Sequence, residues 1–496
     1  MTAGDVTPEN VVNLSLISHT NAGKTTLART LLTRDVGEVR DAAHVTDVAS
    51  DHVLLQTQDD TLMLWDTPGF GDTARLLSRL RQSGNPIGWF LSQVWDRWVE
   101  RPLWSSQQAV RNAREHADVI LYLVNASEEP ASASYVALEM EVLTWIGKPV
   151  ILLLNQMGPP GGDVAAEIEQ WRNHLADVVA IQNALPLDAF ARCWVQEGEL
   201  LRSVEKALTP AKRPAMVRLR QRWEEINLER FAQSMVVLAK PLAMTITAQE
   251  IVEDVSWAEW ASNIASRSGS ERADIAAARA RLAERLAVDT RTATEELIRL
   301  HGLSGKATQL VLDRVSDNYA VSQKASQSLA AVLGGMITGA ASGLAADLMV
   351  GGLTLGGGMI VGGVLGAIGG GGAAYGINLY KGEEGNTVRW SQPFFTGLVA
   401  EALLRYLAVA HFGRGRGQWE EGEHPAFWKD LVQDALAERE AEMSRLYQHA
   451  RNAEGNEILD ELSNLLKDRA TQLLRKLYSE TTSWVIDEVT PLLSKG

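Results

Sequence analysis

Residues 11–32 read VVNLSLISHTNAGKTTLARTLL. Three patterns follow one another in this stretch. Val11 to Ile17 is a short, β-branched and apolar run, which reads as a buried strand. Ser18-His19-Thr20-Asn21-Ala22-Gly23-Lys24-Thr25 fits the spacing of a phosphate-binding loop, with Ser18 where the first glycine usually stands. Thr26 onwards places apolar residues at helical spacing. A loop that turns into a helix N-terminus leaves backbone N–H groups unpaired and pointing one way, and the helix dipole adds to their pull on phosphate. Gly23 permits close backbone approach. Lys24 would reach the β- and γ-phosphates as a point charge, and the Thr25 hydroxyl would ligate Mg²⁺.

Working outward, the bulk properties bound the class. At 496 residues the chain exceeds one ordinary core, so two or three domains are expected. A hydrophobic share of 46% marks it as globular. The net charge of −15 opposes broad, non-specific nucleic-acid binding, and no nucleic-acid partner is expected. The single cysteine, Cys193, allows no intrachain disulfide and fits a reducing compartment; it reads as a small core residue. MTAGDVTPEN lacks the basic and apolar regions of a secretory signal, so a cytoplasmic location is expected.

Residues 33–50 are polar and without period, and they contain Thr46, placed where a first mobile loop could close over a γ-phosphate and Mg²⁺. Two strands are expected at 52–56 and 61–65. The second runs into Asp66-Thr67-Pro68-Gly69. An aspartate ending a buried strand opposite the loop can hold Mg²⁺ through a water, and the Gly69 N–H can contact a γ-phosphate and register its loss.

Asn21-Ala22-Gly23-Lys24-Thr25-Thr26-Leu27 together with Asp66-Thr67-Pro68-Gly69 resembles the Era/TrmE-like branch of the translation-factor-related GTPases. The likeness covers roughly the first 210 residues, a common length for such a domain once insertions are allowed. It implies a doubly wound α/β sheet with nucleotide at the strand C-termini. It implies that Asn21 coordinates a monovalent cation, usually potassium. Phe70 stands where Ras-like proteins carry their water-positioning glutamine, so slow hydrolysis accelerated by potassium or a partner is implied. The candidates for catalysis are thus Lys24, Asn21, Thr46 and Gly69. Those for holding GTP are Asn21, Ala22, Gly23, Lys24, Thr25, Thr26, Asn155 and Gln156. Those for Mg²⁺ are Thr25, Thr46 and Asp66.

A strand is expected at 118–126, a helix at 134–145 and a strand at 149–154. The last ends in Asn155-Gln156-Met157-Gly158, where the family carries Asn-Lys-x-Asp. Gln156 could still cover the base, but Gly158 cannot supply the carboxylate that pairs with guanine, so base discrimination is weakened. Asp163 is a candidate substitute. The last strand is expected at 178–181, with a loop at 185–190. Residues 85–106 hold Trp89, Trp95, Trp98 and Trp104; they form either a helix packed on the domain or an amphipathic segment that docks on a membrane or partner.

Beyond Pro210 helical patterns dominate. Residues 211–214 read as a linker, 216–239 as a helix ended by Pro241, 272–299 as a strong helix former and 397–411 as an apolar helix containing Arg405. Residues 329–380 hold one charged residue, Asp347, and glycines four apart, at 335, 339, 343 and at 358, 362, 366, 370. That spacing lets helices approach closely, so a hairpin is expected, either in lipid or buried in a soluble bundle. Lys324, Lys381 and Arg389 flank it, as suits a hairpin with cytoplasmic ends at the inner membrane. Residues 457–478 form either a bundle helix or a coiled-coil contact, which leaves oligomerisation open. The expected divisions are 1–210, 211–325, 326–381 and 382–496. The glycine-rich part resembles an uncharacterised group of bacterial GTPases, which adds no activity. Two functions are open: a nucleotide-driven switch, with a membrane or membrane-protein partner through 329–380, or a scaffold with a degenerate nucleotide domain. An RNA-binding assembly factor is disfavoured by the charge.

Overall fold

In the computed structural model the residues described are 8–32, 49–81, 84–93, 100–157, 164–187, 193–252, 273–303, 377–382, 385–412, 427–450 and 455–478. Thr46, Trp95, Trp98, Gly158, Asp163 and residues 329–376 of the expected hairpin lie outside them. The chain divides into two compact units, one of residues 1–228, 411–425 and 477–496, the other of 229–410 and 426–476.

In the first unit, β1 (Val11–Ser18), β4 (Val119–Asn125) and β5 (Val150–Asn155) are the apolar runs of the sequence. Strands buried on both faces carry near-continuous apolar runs, as β4 and β5 do, and in β1 the buried Ser15 hydroxyl is satisfied by donating to Asn112 Oδ1 at 2.6 Å. With β2 (Ser50–Gln56), β3 (Thr61–Asp66) and β6 (Ile181–Pro186) they form one sheet in the order β2-β3-β1-β4-β5-β6. Only the β2–β3 pair is antiparallel. Successive side chains point to opposite faces. Ile17, Ile120, Tyr122 and Val124 enter one core with Phe70 and Phe90, while Leu16, Val119, Leu121 and Leu123 enter the other with Leu27 and Leu64. Each such side chain contributes about 1.5–3 kcal/mol on burial. The doubly wound α/β reading therefore holds.

The last strand lies later than expected, at Ile181–Pro186, so Leu185 and Pro186 are in the strand rather than a loop. β6 is an edge strand, where a proline at the end removes no needed ladder donor. The tryptophan-rich stretch forms two helices, α3 (Pro86–Ser92) and α4 (Arg101–Glu115). The Asn85 side chain caps α3 by accepting from the Gly88 N–H at 3.1 Å, and Pro86 suits its first turn. Ile87 and Phe90 are buried, and Trp89 packs on the same core.

Residues 211–214 are not a free linker. α8 (Arg213–Thr247) begins there, and Lys212 Nζ donates to Asp118 Oδ2 at 2.7 Å and to the Val11 carbonyl at 2.8 Å. Arg218 grips the buried Asp60, at the β2–β3 turn, through two bonds of 2.7 Å. Cys193 is a buried core thiol pushed up to about 12 by burial.

In the second unit α8 continues through Pro241 instead of ending at it. Met235, Leu238 and Ala239 before the proline and Leu242, Ala243 and Ile246 after it are all buried, so one apolar face carries the helix past the break. The helices Ala273–Leu300, Gln392–Ala410 and Gly455–Leu477 follow the sequence pattern closely. Ile458, Leu462, Leu465, Leu466 and Leu473 of the last are buried, as in a bundle helix. A small antiparallel sheet was not legible: β7 (Glu250–Val252), β8 (Ile377–Gly382) and β9 (Gly385–Trp390), in the order β7-β9-β8. Residues 377–380, expected at the end of the glycine-rich hairpin, are strand, because Ile377 to Lys381 pair with Asn386 to Trp390. One described helix, Gln392–Ala410, is long and apolar enough to cross a membrane, but 83% of its apolar window is buried and it holds a buried Arg405–Glu401 pair.

Candidate functional site

The site forms where β1, β3 and β5 end. β1 stops at Ser18, the chain loops, and α1 (Lys24–Leu32) starts at the lysine, with the Leu27 N–H closing its first turn on the Gly23 carbonyl at 2.9 Å. Asn21 has φ +68° and Gly23 φ +91°, so the loop needs two left-handed residues. Asparagine tolerates that region through its short polar side chain, and glycine has no Cβ to clash. A Cβ at Gly23 would stand 2.9 Å from Asn155 Nδ2. That nitrogen, at the end of β5, donates to the Ala22 carbonyl at 3.0 Å. Asn155 is wholly buried, so it holds the loop from behind. Ser18 keeps an ordinary negative φ, which explains why glycine is not required there, and its hydroxyl accepts from Lys24 Nζ at 3.0 Å.

The charged groups sit inside. Lys24 and Asp66 are 8% and 2% exposed. Burial pulls the Lys24 ammonium down from its ordinary value, against the opposing charges of Asp66 and Glu139. Burial pushes the Asp66 carboxyl up, against Lys24 and a hydrogen bond from Thr25. The Thr25 hydroxyl donates to Asp66 Oδ2 at 2.8 Å, and Asp66 Oδ1 is buried with no hydrogen-bond partner among the described residues. A buried carboxylate oxygen left unpaired is costly. A threonine hydroxyl and an aspartate carboxylate are the hard oxygen donors that magnesium takes, so these residues fit Mg²⁺. Thr26 and Ala22 are buried beneath the loop.

The stretch after Asp66 is paired directly to the loop. Phe70 N–H donates to the Ser18 carbonyl at 2.9 Å, and Thr20 N–H to the Phe70 carbonyl at 3.1 Å. A Cβ at Gly69 would lie 3.0 Å from Thr20 Cα, so this close approach requires glycine. The Phe70 side chain is wholly buried in the core and stands away from solvent. Gln156 follows Asn155 with φ +60°, a conformation that costs a residue of this kind about 1–3 kcal/mol and that marks a constrained turn.

The structure thus brings together Asn21, Ala22, Gly23, Lys24, Thr25, Thr26, Asp66, Gly69, Asn155 and Gln156. The sequence reading missed Glu139. It lies on α5 (Ser134–Ile146), wholly buried, and its carboxylate takes bonds from His19 Nδ1 at 2.6 Å, Thr73 Oγ1 at 2.9 Å and Tyr122 OH at 2.6 Å. A signal was available: Glu139 stands three residues after Val136 and four before Leu143, on the helix's apolar stripe.

Two outcomes follow. Gly23→Ala combines a strained φ with a contact on Asn155, and should weaken nucleotide binding by about 100-fold or more while leaving the sheet folded, as read by fluorescent-nucleotide titration and circular dichroism. A raised carboxyl means the folded, unliganded protein holds a proton that the unfolded chain releases. Stability then falls as pH rises from the ordinary carboxyl range through the folded value, and the charge is a cost at neutral pH. Asp66→Asn should therefore leave unchanged or raise the melting temperature of the nucleotide-free protein, and should remove most of the Mg²⁺-dependent gain in nucleotide affinity.

Residues 13–156 match the family model described as a 50S ribosome-binding GTPase, and residues 175–479 match the model described as a domain of unknown function, DUF3482. No curated protein matches the chain. Among solved structures it is similar to Aquifex aeolicus Era bound to GDP·AlF4⁻, at 18% identity over 40% of this chain and 57% of that one, with a TM-score of 0.30. It is similar to a GTP-binding protein from the hyperthermophilic archaeon Sulfolobus solfataricus in complex with GDP, at 15% identity over 42% and 53%, TM-score 0.25. NFeoB from S. thermophilus is a third, at 16% identity over 46% and 72%, TM-score 0.24. The chain spans a little over half the length of the first two. With the second family model covering more than half of its residues, the protein belongs to the DUF3482 family, and it carries a P-loop GTPase domain ahead of that region.

Proposed function

We propose that the protein is a magnesium-dependent GTPase of the Era/TrmE-like kind that acts as a nucleotide switch. The observation that carries this is the group of buried Lys24, buried Asp66 and half-buried Thr25, with a carboxylate oxygen left without a partner among the described residues beside a loop of phosphate-binding spacing. Lys24 binds and neutralises the β- and γ-phosphates, the α1 N-terminus adds backbone donors, and Thr25 and Asp66 hold the metal, with Thr46 as the proposed third contact. Magnesium, when bound, supplies positive charge to the phosphates. The Gly69 N–H, fixed against Thr20, is the proposed reader of the γ-phosphate, and Asn21 the proposed potassium ligand. With Phe70 buried, no side chain at that position reaches an attacking water, which supports a slow rate raised by a cation or partner. The second reading is a scaffold with weak or relaxed nucleotide binding; the glycine at position 158, in place of a base-pairing carboxylate, favours it.

Competition of GTP and ATP against fluorescent GTP, in Mg²⁺ with potassium or sodium, separates the two. The expected result is GTP at least about tenfold tighter than ATP, loss of binding in Lys24→Ala, and hydrolysis faster in potassium than in sodium, with that difference lost in Asn21→Ala. Equal competition by ATP means a relaxed base site, and no binding at all leaves the scaffold. The coupling proposed for residues 329–380 is to the cytoplasmic face of the inner membrane. It rests on their apolar composition and glycine spacing. Flotation with liposomes should carry the full chain and not a variant lacking residues 329–376, which keeps β8; equal behaviour of the two sinks the membrane part alone.

A further inference from the structure

We infer that Glu139 is a positioning residue for hydrolysis, clasping the phosphate loop through His19 to the segment after Asp66-Thr67-Pro68-Gly69 through Thr73. This rests on the GTPase reading above. A carboxylate that is 0% exposed loses several kcal/mol of hydration, and an apolar residue of similar volume at such a site is often neutral or stabilising. Packing on the face of Val136, Met140 and Leu143 therefore gives no reason for a glutamate. What accounts for it is the set of groups it gathers, one from each of three elements.

His19 comes from the loop itself, Thr73 from the first turn of α2 (Thr73–Leu80), and Tyr122 from the central strand β4. His19 is steadied further by its ring lying 4.4 Å from that of Tyr135. The Thr73 hydroxyl also lies 3.2 Å from the Gly71 carbonyl, so its single proton is shared between that carbonyl and the nearer carboxylate, just beyond Gly69. Burial and Glu139 push the Tyr122 phenol well up, which keeps its proton on and its role as donor fixed. The Phe70–Ser18 and Thr20–Phe70 backbone bonds join the same two segments independently. The clasp and this ladder together fix where Gly69 stands relative to the loop. Glu139 also opposes the effect of burial on the Lys24 ammonium, so the charge that must meet the phosphates is favoured from behind.

Glu139→Gln keeps the size and removes the charge and one acceptor. The expected result is GDP affinity within about threefold of wild type, a melting temperature within a few degrees, and kcat at saturating Mg·GTP lowered about tenfold or more. Amide hydrogen exchange should rise across residues 69–73 and 18–25, with β6 unaffected. An unchanged kcat overturns the proposal. So does a loss of kcat that only follows a loss of melting temperature and GDP affinity. His19→Ala should reproduce the kcat loss and His19→Asn, whose amide can donate to the same carboxylate, should restore most of it; no rescue overturns the proposal. If Glu139→Gln fails to fold, this His19 pair decides. A wild type that hydrolyses no GTP sinks the GTPase reading only, and the clasp then stands or falls on the exchange across residues 69–73.

Discussion

A lysine ammonium and an aspartate carboxylate, both nearly out of water, face one loop of backbone. Charges in a low-dielectric interior are tolerated only when partners are fixed around them. Lys24 has the Ser18 hydroxyl, the field of Asp66 and the field of Glu139. Asp66 has the Thr25 hydroxyl on one oxygen only. The sheet order puts the ends of β1 and β3 side by side, and the register pairs Leu16 with Asp66, so the carboxylate arrives at the loop by construction. Asn155 then holds the loop from behind through the Ala22 carbonyl, with Gly23 in a left-handed conformation that brings a Cβ position to 2.9 Å from the Asn155 amide.

Much of this was legible because it rests on local chemistry. A Gly-Lys-Thr after an apolar run and before a helical pattern has few alternatives. Continuous apolar runs at β4 and β5 read as buried strands because a run of that length and composition belongs out of water. The errors came where tertiary contacts overrode local signals. Pro241 is a helix breaker by propensity, yet burial on both sides of it carries α8 through. Residues 211–214 look like a connector, yet Lys212 is anchored to Asp118 and to the β1 backbone. In the small sheet of the second unit β8 and β9 are neighbours in the chain, but β7 comes from more than a hundred residues earlier, and such remote pairing leaves almost no trace in a local window. Glu139 was hidden differently. A glutamate in an amphipathic helix is ordinary until its partners, at positions 19, 73 and 122, are seen together.

Base recognition differs from phosphate recognition in where its burden lies. In the proposed function the phosphate side falls to backbone N–H groups and buried charges that the fold supplies. The base side depends on a few side chains after β5. There Asn155 is committed to the Ala22 carbonyl, and Gln156 is held in a left-handed turn. A protein with a firm phosphate cradle and a substituted base reader can bind triphosphates well and still choose weakly among them. In the proposed function affinity and selectivity are separable because different residues are assigned to them.

The ion pairs at the start of α8 bear on how this protein can be taken apart. Asp60 is 1% exposed and its two oxygens are held by Arg218, while Asp118 receives Lys212. Both cations come from residues beyond position 210. A fragment cut there would keep the whole sheet and the whole phosphate loop, yet lose Arg218 and Lys212, the cations paired with Asp60 and Asp118. The compact unit that holds the nucleotide-binding motifs thus extends past them into α8, to residue 228.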